Sequence, residues 1–266
     1  MARQLRIDFD GAWHHVMNRG AARERVFDTR RDGEQFEQLL GEASDRCGVV
    51  VHAYCLMSNH FHLLLQSVTG ELSSFMQHVG RSYTQFRNTR LGRDGAVFRG
   101  RFHSELVDSD AYVLAASRYI HRNPSDIRPA VPLDRYRWSS YRAYSGAAPP
   151  PSWLQTDLLE RFFGGSAALC AAVDAPSTDL DPYAFLRALR FAIIEHADDA
   201  PPPAPARLLA TAAIDRLTDD NATRLSKALG FTSDGARRTA LSRARQRLQA
   251  EPALDQIIER ALRLAA

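Results

Sequence analysis

At 266 residues and 45% hydrophobic content, the chain is long enough for one large domain or two smaller ones, and a folded, soluble protein with a real core is expected. The N-terminus MARQLRIDFDGAWHHV lacks an apolar signal-peptide core, and no stretch approaches the ~18 consecutive apolar residues of a membrane span, so a cytoplasmic setting is the expectation. Cys47, Cys55 and Cys170 are odd in number and form no C-x-x-C pair, which argues against a disulfide framework, excludes a cysteine zinc ribbon and predicts reduced, mostly buried thiols.

The net charge of +3 hides an uneven distribution. Residues 1–145 carry 20 Arg against 16 Asp and Glu, residues 146–205 carry 3 against 8, and residues 206–266 carry 11 Arg and Lys against 7. Two basic modules therefore flank an acidic, proline-containing middle. Lys227 is the single lysine. Guanidinium forks that read phosphates explain this bias, and so does a GC-rich genome that favours Arg codons.

In chain order, AWHHVMNRG (12–20) reads as a strand. A helix follows over about 30–46, with Phe36, Leu39, Leu40 and Ala43 at helical spacing and Gly48 as its stop. The segments 49–57 and 60–66 are β-rich and flank the turn-forming pair Ser58-Asn59, which predicts a hairpin. Leu72, Phe75, Met76, Val79, Tyr83 and Phe86 mark one face of an amphipathic helix over 71–90. RFHSELV (101–107) reads as a fourth strand, and Asp108 or Ser109 can cap a helix running to about residue 122, stopped by Pro124. The order β-α-β-β-α-β-α predicts an α+β fold of the ferredoxin-like, split βαβ kind: a four-stranded antiparallel sheet with helices on one face, plus one extra helix.

Beyond residue 145 the composition changes. AAPPPSW, DAPSTDLDP and DDAPPPAPA (198–206) are rich in breakers, and the last suits an inter-domain linker. The expected organisation is a catalytic-type domain over 1–145, an irregular and helical connecting region over 146–205, and an all-helical module over 206–266.

Two histidines stand out within YCLMSNHFHLLLQ (54–66). Side chains two apart on a strand share a face, so His60 and His62 project together while Phe61, Leu63 and Leu65 project to the other side. Two imidazoles at that spacing form a half-site for a divalent ion, although a spaced pair also occurs as satisfied core residues. In SRYIHRNP (117–124), Tyr119 and Asn123 lie four apart, on one helix face. Two imidazoles and one amide oxygen leave a cation with open positions for a phosphate, and Tyr119 is then placed to attack it. Taken singly, Tyr119 also fits an aromatic anchor between helix and sheet.

HVMNRG (15–20), YCLMSNHFHLLL (54–65), FRGRFHSELV (98–107), RYIHRNP (118–124) and YRWSSY (136–141) together resemble the single-tyrosine HUH transposases, and among them the REP-associated tyrosine transposases. HUH denotes two histidines around a hydrophobic residue. The resemblance spans about residues 10–145 and implies a ferredoxin-like sheet with the His60/His62 strand central. It also implies His60, His62 and the amide of Asn123 as metal ligands, Tyr119 as nucleophile, and Mg²⁺ or Mn²⁺ as the ion. The implied reaction is cleavage and strand transfer on single-stranded DNA through a 5′-phosphotyrosyl intermediate and a free 3′-OH. The implied substrate is a short palindromic hairpin with a flanking guide tetranucleotide, bound by a monomer or a homodimer.

MNRGAARERVF (17–27) and GRDGAVFRGRFH (92–103) mix Arg with Phe and Gly, as in a groove that neutralises phosphates and stacks bases. Arg19, Arg99 and Arg101 are the candidates there, and Arg118 and Arg122 flank Tyr119. Each of them also fits solvated surface charge. His14, His15, His52, His78, His103 and His121 have no partner at metal spacing and are read as structural or surface residues.

In the C-terminal module, DDNATRLSKALGFTSDGARRTALSRARQRLQ (219–249) reads as a helix, a turn at 230–232 and a longer helix capped by Ser233 or Asp234, the helix-turn-helix plan. Leu241, Ala244 and Leu248 form its apolar stripe, and Arg237, Arg238, Arg243, Arg245 and Arg247 its basic side. Such a helix suits duplex DNA, and a solvated basic face is the competing reading. The module faintly resembles the DNA-binding domain of DnaA-type replication initiators. Typical members of the transposase family end near the WSSY segment, so the module departs from their pattern. A non-catalytic DNA-binding regulator derived from a transposase is the alternative for the whole chain. A plasmid replication initiator or relaxase shares the histidine pair and the tyrosine, but not this motif order.

Overall fold

The computed structural model describes residues 7–126, 131–174, 186, 189, 192–193, 206–217, 219–231, 233–250 and 253–265. It divides into two compact units, Met1–Asp174 and Ala175–Ala266. Apart from Ala206, the linker expected at 198–206 lies outside the described residues.

The first unit is built on β1 (Ala12–Arg19), α1 (Arg30–Cys47), β2 (Val49–Leu56), β3 (His60–Ser67), α2 (Leu72–Leu91), β4 (His103–Val107) and α3 (Asp110–Arg122). The strands form one sheet in the order β2-β3-β1-β4, with every neighbouring pair antiparallel. This is the α+β arrangement the chain order predicts, with β3 central.

Local chemistry sets the ends of these elements. Thr29 and Asp32 form a reciprocal capping box at the start of α1, satisfying two backbone donors that the first helical turn leaves unpaired. Gly48 ends α1 in the left-handed region at φ 54°, where a side chain is disfavoured, and β2 starts at the next residue. Across the Ser58-Asn59 turn, the Met57 N–H donates to the His60 carbonyl at 2.8 Å, closing the β2-β3 hairpin.

α1 and α2 pack together on one face of the sheet. Phe36, Leu40, Phe75, Val79 and Tyr83 from the helices meet Val16, Phe61, Leu63 and Leu65 from the strands in one buried cluster. Burying each large apolar side chain is worth about 1.5–3 kcal/mol, so this layer fixes the register of β3. A one-residue slip would turn Phe61 and Leu63 out of the core and His62 into it. Asp32 is fully buried beneath the same helices and accepts from Arg90 at 2.8 and 3.0 Å, with Arg87 at 3.6 Å.

α3 takes the opposite face, packing on β2 and β3. Its buried residues Tyr112, Ala116 and Tyr119 recur at helical spacing, and Asn123 continues the stripe at the C-cap. Three short helices, α4 (Tyr141–Tyr144), α5 (Asp157–Phe163) and α6 (Ser166–Asp174), complete the unit, and α5 and α6 both pack on α3.

The free edge of β2 is covered by residues 138–155. Leu56 N–H donates to the Trp138 carbonyl, Ser140 N–H to the Tyr54 carbonyl and Gln155 N–H to the Val51 carbonyl, at 2.8–3.0 Å. An unpaired edge is an aggregation liability, which this strap removes. Trp138 and Trp153 lie against Gly33 and Gly41 of α1, where a β-carbon would come within 2.5 and 2.6 Å of the indoles.

The second unit contains α7 (Ala206–Ala213), α8 (Asp219–Ala228), α9 (Asp234–Ala250) and α10 (Ala253–Ala265). Leu209, Leu225, Leu241, Ala244, Ile257 and Ile258 are among its buried residues. Arg216 pairs with Asp255 and Glu259. The two helices predicted within 219–249 are present, while Thr232 of the predicted turn lies outside the described residues, and Ser233 Oγ accepts the Ala236 N–H at 3.2 Å as the cap of α9. Among the described residues, no helix is long and apolar enough to cross a membrane, and the three cysteines are free.

Candidate active site

The pleat of β3 and the placement of α3 bring His60, His62 and Tyr119 together on the α3 side of the sheet. His62 is fully buried, and its Nε2 lies 3.3 Å from the Tyr119 hydroxyl, the rings meeting edge to face at 4.9 Å. His60 is half-buried at the start of the strand, its ring 5.2 Å from that of His62 and nearly perpendicular to it. The Asn59 side-chain oxygen lies 2.8 Å from His60 Nδ1. An amide oxygen only accepts, so Nδ1 carries the hydrogen and Nε2 keeps the lone pair that a cation requires.

Asn123 is fully buried at the C-cap of α3, and its amide nitrogen donates to the Tyr119 carbonyl at 3.1 Å. Its nitrogen is thus engaged with the helix, and its oxygen is the end suited to a cation. Two imidazole nitrogens and one amide oxygen form a donor set that fits a divalent ion with open positions. Among the described residues, no group of three or more His, Cys, Asp or Glu is disposed to hold a metal, so a site here would need the amide.

Other tyrosines of the first unit are differently placed. Tyr54 donates to Glu37 at 2.7 Å, Tyr144 to the His52 carbonyl at 2.6 Å and Tyr141 to Asp174 at 2.8 Å. Burial raises the pKa of all three phenols above the ordinary value. Their hydroxyls face oxygen acceptors, whereas that of Tyr119 faces an imidazole nitrogen.

His15 belongs to the same cluster, although its sequence context gave it no partner. Its Nε2 lies 3.1 Å from His62 Nδ1, and its ring meets that of Tyr119 edge-on at 5.1 Å. The signal for it was the alternation of β1: antiparallel pairing sets Met17 opposite His62 and His15 opposite Leu64, two positions further along β3. Finding it required the strand order, which no local spacing reveals.

The other histidines among the described residues hold structural contacts. His14 bonds Asp8 at 3.2 Å and Ser104 at 3.1 Å. His52 stacks on Trp13 at 4.2 Å, and burial pushes its pKa down to about 4. His121 bonds Ser140 at 2.8 Å, and burial pushes it down to about 3. His78 faces Glu42, and His103 faces Glu105.

The predicted arginines fall into three sets. Arg99 and Arg101 are exposed, while Arg19 is only 6% exposed. The two basic stretches meet, with Arg99 N–H donating to the Arg19 carbonyl at 2.8 Å and Asn18 donating to the Gly100 carbonyl at 3.2 Å. Beside them, a cavity of about 690 Å³ opens between α2 and residues 96–102, lined among others by Gln77, Arg81, Phe98, Arg101 and Phe102. Arg118 and Arg122 donate to the carbonyls of Ala172 and Val173 at the end of α6, a structural use of both side chains. Burial, with the like charge of Arg122, lowers the pKa of Arg118. In the second unit, Arg238, Arg243, Arg245 and Arg247 are exposed and Arg237 half-buried; Arg245 pairs with Asp215 at 2.6 Å and Arg237 with Asp234 at 3.3 Å.

Comparison with known proteins finds two similarities. A solved structure described as a REP-associated tyrosine transposase bound to a REP hairpin is similar at 13% identity and a TM-score of 0.47, over 59% of this chain and 93% of that one. No curated protein matches the chain. Residues 9–123, which run from just before β1 through Tyr119 to Asn123, match the family described as "Transposase IS200 like", and in this segment the chain is similar to that family.

Proposed function

We propose that the protein is a DNA nickase and strand transferase that acts on single-stranded DNA with Tyr119 as its nucleophile. The observation that carries this reading is the convergence of His60, His62 and Tyr119 on one face of the sheet, with the phenol 3.3 Å from His62 Nε2. His60, His62 and the Asn123 oxygen would hold the cation, Mg²⁺ or Mn²⁺. Such an ion, when bound, supplies Lewis-acid stabilisation of charge on a phosphate oxygen.

The chain's own residues do the rest. α3 holds the phenol within the site, and the oxygen of Tyr119 attacks phosphorus. The phenolic O–P bond forms and the P–O3′ bond breaks. The phenol loses its proton, and the 3′ oxygen departs as a free hydroxyl. DNA remains attached through a 5′-phosphotyrosyl bond, and attack by another 3′-OH reverses the step without ATP. His60 is half-buried and His62 and Tyr119 are buried, so a flexible single strand suits the site more than a stiff duplex.

We assign the exposed Arg99 and Arg101, with the adjoining cavity, to the path of the single strand, and the buried Arg19 to support of the segment that carries them through its carbonyl contact with Arg99. Guanidinium groups there neutralise phosphates, and the half-buried Phe102 offers a base-stacking surface. The arginines of α9 are assigned to duplex DNA beside the cleavage site, such as the stem of a hairpin. Acting on cellular DNA, such an enzyme would work in the cytoplasm.

The test uses a labelled oligonucleotide carrying a hairpin and a single-stranded flank, incubated with the protein and Mn²⁺ and run on a denaturing gel. A covalent adduct with the single-stranded substrate and none with a blunt duplex is expected. Binding without an adduct at any Mn²⁺ concentration identifies a regulator instead.

A further inference from the structure

We infer that His15 is a positioning residue for His62: it accepts the Nδ1–H of His62 and thereby holds that ring in the tautomer whose Nε2 lone pair faces the reaction site. This inference rests on the reading of His62 as a cation ligand.

The geometry is specific. His15 and His62 are 2% and 0% exposed, 3.1 Å apart through Nε2 and Nδ1, on strands paired in fixed register. Two hydrogen placements fit this contact. In one, His15 donates to His62 Nδ1, and His62 then carries its hydrogen on Nε2 and has no lone pair for a cation. In the other, His62 Nδ1–H donates to His15 Nε2, and His62 Nε2 becomes the acceptor that faces Tyr119 at 3.3 Å.

The second placement matches donor strengths along the chain of contacts. A phenol donates more strongly than an imidazole N–H, and an imidazole nitrogen accepts more strongly than a phenolic oxygen. The chain therefore runs from the Tyr119 hydroxyl to His62 Nε2, and from His62 Nδ1–H to His15 Nε2. An outer partner that fixes ring orientation and tautomer is a general requirement of metal-binding imidazoles, and β1 supplies it here from within the sheet. The edge-on contact of His15 with Tyr119, 5.1 Å between centroids, limits rotation of both rings.

The test measures the ¹⁵N shifts of the His62 ring nitrogens in the metal-free wild-type protein, at a pH above the ordinary imidazole range. It adds Mn²⁺ affinities from the EPR signal of the free ion for wild type, His15→Gln, His15→Leu and His62→Ala, with thermal melts as folding controls. Expected are a protonated Nδ1 and an unprotonated Nε2 in wild type, and a Mn²⁺ affinity retained in His15→Gln, whose amide oxygen still accepts. In His15→Leu the affinity falls by about 10–100-fold. A protonated Nε2 in wild type overturns the inference, and that measurement needs no variant to fold. A folded His15→Leu with wild-type affinity, alongside a His62→Ala that loses Mn²⁺, overturns the role of His15 and leaves the metal reading standing. Undiminished Mn²⁺ binding by His62→Ala overturns both.

Discussion

The phenolic oxygen of Tyr119 lies 3.3 Å from Nε2 of His62, a residue 57 positions earlier in the chain. A ring nitrogen has one lone pair, so Nε2 can accept from the phenol or bind a cation, but not both at once. Removing the hydroxyl removes the competitor. Tyr119→Phe should therefore bind Mn²⁺ as tightly as wild type or up to about fivefold more tightly, the equivalent of one buried hydrogen bond of ~1 kcal/mol. A Mn²⁺ titration by calorimetry measures this. Weaker binding would mean that the phenol is itself a ligand.

Gly41 gives a prediction whose sign is opposite to the ordinary rule. Within a helix, Gly→Ala usually stabilises by about 0.5–1 kcal/mol. At Gly41 the new β-carbon would come 2.6 Å from Trp153 Cδ1, so the strap over β2 must shift. Gly41→Ala should destabilise by about 1–3 kcal/mol. In a Trp153→Leu background the same change should be neutral or stabilising. Urea unfolding of the four variants reads the coupling directly.

His52 makes stability depend on pH. Burial pushes its pKa down to about 4, whereas the unfolded chain titrates near ~6.5. The unfolded state therefore binds the proton first. Stability is full above ~6.5 and falls as the pH drops toward about 4, by up to ~1.4 kcal/mol per pH unit from this group. His52→Gln should flatten that slope in urea midpoints measured across the window. His121, also depressed by burial, contributes in the same direction and remains in the variant.

Arg238, Arg243 and Arg247 on α9 are exposed. If they meet phosphates, replacing each by Gln should reduce the slope of log K against log salt for duplex DNA by about 0.9. Fluorescence anisotropy with a short duplex at several salt concentrations provides the slopes. An unchanged slope would identify a solvated face.

Much of the first unit was legible because its elements carry strong periods. The alternation of β3 placed Phe61, Leu63 and Leu65 in the core and His60 and His62 on the other side, and the i, i+4 pair Tyr119 and Asn123 fell on the buried face of α3. His15 was not legible, since its partner stands 47 residues away and is reached only through the β1-β3 register. The strap over β2 was equally hidden: Trp138 and the Trp153-Leu154 pair belong to short segments that show no helical or strand period, and their packing against Gly33 and Gly41 of α1 joins residues about 105–112 positions apart. The guanidiniums of Arg118 and Arg122 illustrate a further limit, because a basic residue beside a nucleophile looks the same in sequence whether it serves a phosphate or a helix end.

The central claim is that the Tyr119 oxygen forms the covalent bond to DNA. The most direct measurement is to incubate the protein with a single-stranded hairpin substrate and Mn²⁺, digest the adduct with nuclease and protease, and locate the residual nucleotide by mass spectrometry. The account predicts a nucleotide phosphate on Tyr119, absent in Tyr119→Phe. A nucleotide on any other residue, or none on a protein shown to bind both ion and DNA, would contradict it.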